Sequence, residues 1–189
     1  NEVKKLIEAC AGLFLEAVST EQYAVKGDSL HINITALNRS YVKAEPLSVF
    51  LDDKQDALVK TGITLAKDIS FRDRINLFVS PTQPVSQPYW LTNTNPKGSF
   101  TVNDQLQIGK PENDAAFNVT FVISVEGEIF IFVKPVMYKF TDPVKGEIYW
   151  PLIVIPNSEL TITPEISIAP NYAGAIKANA NLRSVTINS

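Results

Sequence analysis

The residue types that most often perform chemistry are scarce in this chain. Its 189 residues include a single His, His31, and a single Cys, Cys10. A zinc site of Cys and His ligands needs about four such side chains, and a nucleophilic Ser or Cys commonly needs a His beside it as the base. The composition leaves little scope for either system. We therefore predict no catalytic residue, no metal ion and no cofactor.

The positions of these two residues favour structural roles. His31 lies among the polar members of an alternating strand pattern, which predicts a solvated surface side chain. Cys10 lies on the apolar face of a predicted helix, which indicates a buried and unreactive thiol.

Carboxylates are the remaining source of acid and base chemistry. Two carboxylates can hydrolyse a glycosidic bond when they flank it at a fixed separation, which a sequence cannot show. No stretch combines the alternating oxygen ligands and turn Gly of a calcium loop. We favour an interpretation as surface residues and keep an independent enzyme as a third hypothesis. The carboxylates that would then have to converge in a cleft are Asp104, Glu112, Asp142 and Glu147.

Two aromatic pairs are the candidate ligand-binding residues. Tyr89 and Trp90 follow a Pro-rich stretch, and Tyr149 and Trp150 open a late strand. Flat aromatic faces can stack on sugar rings, but aromatic side chains more often fill a sandwich end as core. We predict that Trp90 is core. Tyr89, Trp90 and Trp150 would form a carbohydrate-binding platform only if at least two of them lie coplanar on the surface.

The charge and hydropathy of the chain exclude some classes of partner. The net charge is −3 and the pI about 5.2, so no broad basic face is available for nucleic acid. No apolar stretch approaches the ~20 residues that a membrane span requires. The sequence opens without Met, which we interpret as a fragment of a longer chain.

The first residues show the period of an amphipathic helix. Apolar residues recur there at spacings of three and four. We predict a linker helix over residues 1–19 that is ordered and docked by this face, either on the domain that follows or on one that precedes. The apolar positions are Val3, Leu6, Ile7, Cys10, Leu13, Phe14 and Ala17.

From residue 20 onward the apolar period is two, as in half-buried strands. Residues 30–36 alternate, and residues 117–125 alternate before a Glu-Gly-Glu turn that begins a hairpin. The returning strand, 129–133, is apolar on both faces, so we predict that it is buried on both sides. Three prolines make 80–88 an extended connection rather than a central strand.

These patterns predict an all-β protein with an immunoglobulin-like β-sandwich over residues 20–156. Short strands at 160–168, 175–181 and 185–187 make up a C-terminal β segment, 157–189. Three such strands would expose an apolar face on their own. They either dock on the first sandwich or begin a second β module.

Several short segments together carry a family resemblance. They are Asn38-Arg39-Ser40, Pro88-Tyr89-Trp90-Leu91, Gly98-x-Phe100-x-Val102, Ile108-Gly109-Lys110-Pro111-Glu112-Asn113 and Tyr138-Lys139-Phe140-Thr141-Asp142-Pro143-Val144-x-Gly146-Glu147-x-Tyr149. In this order the chain resembles the region C-terminal to the catalytic domain of large PIG-L/LmbE-type N-acetylglucosaminyl deacetylases of Gram-negative bacteria. The match covers most of residues 3–156, and the opening helix is similar to the one that closes the catalytic unit there.

The resemblance implies a non-catalytic accessory role. The family's Ala-His-Pro-Asp-Asp motif and its distant zinc-binding His are absent from this chain, whose one His lies in no such context. Zinc chemistry would then belong to a preceding catalytic domain, which is the implied partner, in a periplasmic or cell-envelope protein. The chain would support or orient that domain. The alternative is a carbohydrate-binding module, for which a glycan is the candidate partner.

Overall fold

The computed structural model describes residues 2–51, 64–166 and 177–185, together with the backbone of 59–60. The predicted class, an all-β immunoglobulin-like sandwich with an N-terminal helix, is confirmed. The helix α1 spans Glu2–Cys10. The strands are β1 (Leu13–Ser19), β2 (Tyr23–Val25), β3 (Ser29–Asn38), β4 (Ala44–Leu51), β5 (Val59–Lys60), β6 (Ser70–Phe78), β7 (Asn118–Val125), β8 (Glu128–Pro135), β9 (Met137–Asp142), β10 (Gly146–Pro151), β11 (Ile153–Ile155), β12 (Ser158–Thr163) and β13 (Asn179–Ser184).

Two sheets form the sandwich. One has the order β10-β9-β1-β3-β6, and the other has the order β5-β4-β7-β8. Strand β1 pairs antiparallel with β3 and parallel with β9. Strands β2 and β11 form a short parallel pair, in which Ala24, Val25 and Val154 are buried.

The core follows from the period-two pattern of the strands. Inward positions of β3 and β7, such as Ile32, Ile34, Phe121 and Ile123, are fully buried and belong to one apolar cluster. Each such side chain stabilises the fold by roughly 1.5–3 kcal/mol as an upper bound. The predicted strand at 30–36 and the hairpin at 117–133 are therefore confirmed. The prolines of 80–88 lie in a connection without strand structure, also as predicted.

The predicted helix is too long. Helix α1 ends at Cys10, and residues Leu13–Ser19 form strand β1. Gly12 makes the break because it has φ +65°, a left-handed conformation that favours Gly at helix C-termini. Leu13 is buried, but as part of a strand. The side chain of Cys10 is exposed rather than buried.

The docking of α1 is only partial. Ile7 packs against the core, and Glu8 forms an ion pair with Lys134 at 2.6 Å. Val3 and Leu6 are exposed instead of buried. The helix is thus held to the sandwich by one face and open on the other.

The prediction that residues 129–133 are buried on both sides is wrong. Strand β8 is an edge strand of its sheet. Phe132 is buried and Phe130 packs against the core, whereas Ile129, Ile131 and Val133 are exposed on the outward face. An apolar run on both faces of a strand does not require burial of both, because an antiparallel sheet can pack on the core with one face and leave the other open.

The C-terminal segment forms a hairpin. Strand β12 pairs with β13, and all their side chains are exposed. The predicted strand at 160–168 is therefore confirmed in part, and that at 175–181 begins later, at Asn179. Residues 167–176 and 186–189, which include most of the predicted strand at 185–187, lie outside the described residues. Among the described residues, no helix has the length and apolarity needed to cross a bilayer.

Candidate functional site

The connection between β6 and β7 supplies much of the lining of a largely apolar cleft. We call it the Trp90 cleft; its volume is about 620 Å³. Its lining consists of Trp90 and residues 86–88, residues 110–115, and residues 135–137 and 151–153. Clefts of a few hundred cubic ångströms with mostly apolar walls and a few polar groups are typical of small-ligand sites.

Hydrogen bonds to the backbone hold this connection in place. The Asn113 amide donates to the Gln87 carbonyl at 2.6 Å, and the Asn95 amide donates to the Trp90 carbonyl at 3.1 Å. Ser86 exchanges two hydrogen bonds with Val154, one through its N–H and one through its Oγ. The cleft is therefore lined by a loop whose two ends are fastened to each other and to β11.

The prediction that Trp90 is core is wrong. Its side chain is 37 % exposed and lines the cleft. Tyr89 is half-buried, and its hydroxyl accepts a hydrogen bond from the Gly109 N–H at 3.3 Å. The two rings meet edge to face at 89°, with centroids 4.8 Å apart. They do not form the coplanar platform that a flat sugar-binding surface would need.

Trp150 belongs to a different group of aromatics. It is 45 % exposed and does not line the Trp90 cleft, although Pro151 does. Its ring packs edge to face on Phe140 at 4.9 Å, and Phe140 stacks on Tyr138 at 5.5 Å. The structure therefore places Tyr89 and Trp90 together and Trp150 in a separate cluster on β9 and β10.

The four candidate carboxylates do not meet in one cleft. Glu112 lines the Trp90 cleft, and Asp104 accepts a hydrogen bond from the Leu106 N–H. Asp142 accepts from the Val144 and Lys145 N–H groups in the β9–β10 turn, and these bonds lower its pKa. Glu147 lies in β10. Three of the four are therefore engaged in local contacts or lie on separate elements.

A charged cluster that the sequence patterns did not reveal lies on the outward face of the five-stranded sheet. Lys139 contacts Glu16 at 3.3 Å and Glu147 at 3.0 Å, and the Tyr149 hydroxyl donates to Glu16. These residues come from β1, β9 and β10, whose pairing brings them together. The sequence pattern that could have indicated this cluster is the alternation within the strands, in which these residues occupy the polar positions and the residues of the other face are apolar.

Mutual hydrogen bonds shift the pKa values in this cluster. Burial alone would lower the pKa of Lys139, but hydrogen bonds to Glu147, Tyr149 and Glu16 outweigh it and hold that pKa above its ordinary value. The hydrogen bond from Lys139 lowers the pKa of Glu147. Burial and the hydrogen bond to Glu16 raise the pKa of Tyr149. The charged forms of Lys139 and Glu147 are stabilised, as in a structural ion pair.

Metal binding finds no support in the part of the chain that is described. No group of three or more His, Cys, Asp or Glu side chains there could hold an ion. His31 lies half-buried on the outward face of β3, opposite Asn76 of β6.

Comparisons with known proteins give only distant likenesses. No protein-family model and no curated protein matches the chain. A β-glucosidase from Listeria innocua, solved with glucose, is similar at 16 % identity and a TM-score of 0.26, over 66 % of this chain and 16 % of that chain. The same enzyme with isofagomine gives 15 % identity and a TM-score of 0.25 over the same shares. This chain thus spans a small part of that enzyme's length, and TM-scores this low support no conclusion about function.

Proposed function

We propose that this chain is a non-catalytic β-sandwich module that binds a neutral glycan in the Trp90 cleft. One observation carries the proposal: a partly exposed indole and several hydrogen-bonding side chains line the same cleft. The indole and the polar groups are presented by a loop that hydrogen bonds already order. Binding therefore costs little ordering of the protein.

The chemistry of the walls fits a sugar. A pyranose ring has an apolar C–H face, which can pack on the exposed indole, and hydroxyl groups around its edge that both donate and accept hydrogen bonds. Glu112 supplies acceptors, and Lys110 supplies donors beside Asp114, to which it is bonded at 3.0 Å. Only one indole is available, so the site suits a single ring inserted in a cleft rather than a chain lying on a flat platform.

The carboxylates of the cleft support binding over hydrolysis. Glu112 and Asp114 both line it, but Asp114 is engaged with Lys110. A glycosidase needs one carboxyl group that stays protonated as the acid and a second that acts as nucleophile or base. Both oxygens of Asp114 accept hydrogen bonds from Lys110, so the residues that line the cleft do not offer two free carboxyl groups for these roles.

The two tryptophans of the chain allow a direct test by fluorescence. In Trp150→Phe protein, Trp90 is the only indole, so titration with chitotriose or cellotriose should change the emission. In Trp90→Phe protein, the same titration should leave the emission of Trp150 unchanged. Calorimetry should show a loss of affinity of about tenfold or more in Trp90→Ala protein, as expected for a buried stacking contact.

Trp150→Ala is the matched control for Trp90→Ala, because it removes a similarly exposed indole outside the cleft. It should bind the trisaccharide as the unmodified protein does. No binding of any neutral oligosaccharide, or equal binding by both alanine variants, would contradict the proposal.

A second candidate function is support of a neighbouring catalytic domain, as the resemblance to deacetylases implies. The observation that favours it is the open face of α1, where Val3 and Leu6 are exposed although the helix is anchored through Glu8. Exposed apolar groups on an anchored element are typical of contact surfaces. The gene that encodes the chain should then carry an Ala-His-Pro-Asp-Asp domain upstream, and a gene without any catalytic domain would exclude this role.

A further inference from the structure

A second depression lies on the outward face of the five-stranded sheet, and the proposed function assigns no ligand to it. We call it the charged groove; it has a volume of about 860 Å³. Its two halves carry opposite charge. Arg39, Arg72 and Arg74 line the half over β3 and β6 together with one carboxylate, Asp73, whereas Glu16, Lys139 and Glu147 line the half over β1, β9 and β10.

The guanidinium groups of the cationic half form no ion pair with a described residue, and Asp73, which also lines this half, accepts a hydrogen bond from the Arg74 N–H at 2.8 Å. The Arg74 Nε donates to the neutral Asn33 amide at 3.2 Å, and the Arg39 guanidinium lies 5.1 Å from the centroid of the Phe14 ring. The side chain of Arg72 is exposed and forms no hydrogen bond or ion pair with another described residue. Three guanidinium groups thus face the groove with most of their donors unused, in a protein whose net charge is −3.

The acidic half presents hydrogen-bond acceptors. Lys139 is shared between Glu16 and Glu147, so two carboxylates are matched by one ammonium group. Ionised carboxylates only accept hydrogen bonds, and a ligand must therefore bring donors to this side. Neutral hydroxyl groups are sufficient.

The spacing of the two halves indicates the size of the ligand. Arg72 of β6 is in register with Thr35 of β3, and Thr35 is in register with Glu16 of β1. The Cα atoms of Arg72 and Glu16 are therefore two strand spacings, about 10 Å, apart. A simple ion cannot span that distance, whereas an oligosaccharide of two or three rings can.

We propose that the charged groove binds an acidic oligosaccharide. A sugar carboxylate lies on Arg72 and Arg74, and hydroxyl groups of a neighbouring ring donate to Glu16 and Glu147. Guanidinium groups bind carboxylates through paired, charge-assisted hydrogen bonds. A nucleic acid fits less well, because its strand carries a phosphate about every 3.4 Å and would place negative charge over the two glutamates.

The test uses trigalacturonate as the probe and its methyl ester as the matched neutral ligand. Calorimetry should show binding of the acid and at least about tenfold weaker binding of the ester, since charge-assisted hydrogen bonds are lost. The affinity should also fall between about 0.02 and about 0.2 M salt, because screening at these exposed groups increases. Equal binding of acid and ester would overturn the proposal.

Arginine variants locate the site. Arg72→Gln and Arg74→Gln should each weaken trigalacturonate binding about tenfold, while both keep the melting temperature, because the side chains are exposed. Lys97→Gln makes the same change of charge at an exposed residue outside the groove and should bind normally. Unchanged affinity in both arginine variants would refute the proposal.

The inference does not depend on the Trp90 cleft. Trp90→Ala protein should bind trigalacturonate as the unmodified protein does, and loss of that binding would contradict a separate groove. Tighter binding of a single-stranded oligonucleotide than of trigalacturonate would also overturn the choice of ligand.

Discussion

Asn38 and Ser19 are the buried polar side chains among the described residues. The Asn38 amide donates to the carbonyls of Val42 at 2.7 Å and Leu65 at 3.2 Å. Its carbonyl oxygen accepts from the N–H and the hydroxyl of Ser40. One side chain therefore satisfies polar groups from three segments, two of them near in sequence and one 27 residues away.

Replacement of Asn38 by Leu should lower the free energy of unfolding by about 3 kcal/mol. The change leaves buried carbonyl and N–H groups without partners, and each such group costs about 1–3 kcal/mol. Denaturant unfolding measures the effect. Asn76→Leu makes the same chemical change at an exposed position and should cost less than about 0.5 kcal/mol; equal losses in the two variants would contradict the argument.

The pair of Glu147 and Lys139 makes stability depend on pH. The hydrogen bond from Lys139 lowers the pKa of Glu147 below its ordinary value of 4.5. The stabilisation is therefore complete above that ordinary value and is lost as pH falls through the pKa of the folded state. At the alkaline end, the raised pKa of Lys139 means that its contribution is complete below its ordinary value of 10.5 and is lost above it.

We expect Glu147→Gln protein to be less stable than the unmodified protein at pH 7 and equally stable near pH 3. Gln cannot ionise, so the variant lacks the part of the pH dependence that belongs to this carboxyl group. Urea unfolding at pH 7, 5, 4 and 3 measures the difference. A difference that stays constant over this range would show that the ion pair does not stabilise the fold.

Among the junctions between elements, the one between α1 and β1 is constrained both in its backbone conformation and by close contacts. Gly12 has φ +65°, and a Cβ placed there would lie 3.0 Å from the Ser40 Cβ and 3.2 Å from the Ser40 N. Ser40 in turn donates from its Oγ to the Ala11 carbonyl at 2.7 Å, and the Arg39 N–H donates to the Gly12 carbonyl. The end of the helix is thus packed closely against the turn after β3.

Gly12→Ala should destabilise the protein more than Gly27→Ala. Both glycines have positive φ, which costs roughly 1–2 kcal/mol for an L side chain. A Cβ at Gly27 would meet no atom within 4 Å, so that variant measures the conformational cost alone. The additional loss in Gly12→Ala, expected to be about 1 kcal/mol or more, reports the close approach of Ser40, and equal melting temperatures would show that this contact relaxes freely.

At the scale of the whole molecule, the first 19 residues contain two parts with different importance. Helix α1 adds to the sandwich mainly the packing of Ile7 and the ion pair of Glu8 with Lys134. Strand β1 lies between β9 and β3 in the five-stranded sheet. Its inward side chains are buried in the common core.

Deletion of residues 1–10 should therefore leave a folded protein with a lower melting temperature. The expected cost is about 1–3 kcal/mol for partial burial of one Ile and one ion pair. Deletion of residues 1–19 should abolish folding, because the sheet loses an inner strand together with its share of the core. Circular dichroism and dye binding distinguish these outcomes, and a folded 20–189 protein would contradict the sheet order.

Much of the architecture could be predicted from local patterns. Alternation over residues 30–36 and 117–125 predicts strands with one buried face, and both strands lie at the core as expected. The helix was predicted too long because Leu13 and Ala17 satisfy a spacing of three or four from earlier apolar residues as well as a spacing of two with Leu15. Gly12, which favours a left-handed conformation, was the local signal for the break.

The class of the fold could be predicted because backbone propensity and the two-residue period of apolar side chains are local properties. Which faces are open depends on how distant segments pack together. The exposure of Trp90, the outward position of Ile131 and the meeting of Lys139 with Glu16 all depend on which strands are neighbours and which strand ends a sheet. Strand order is set by contacts between residues far apart in the chain, and no local pattern specifies them.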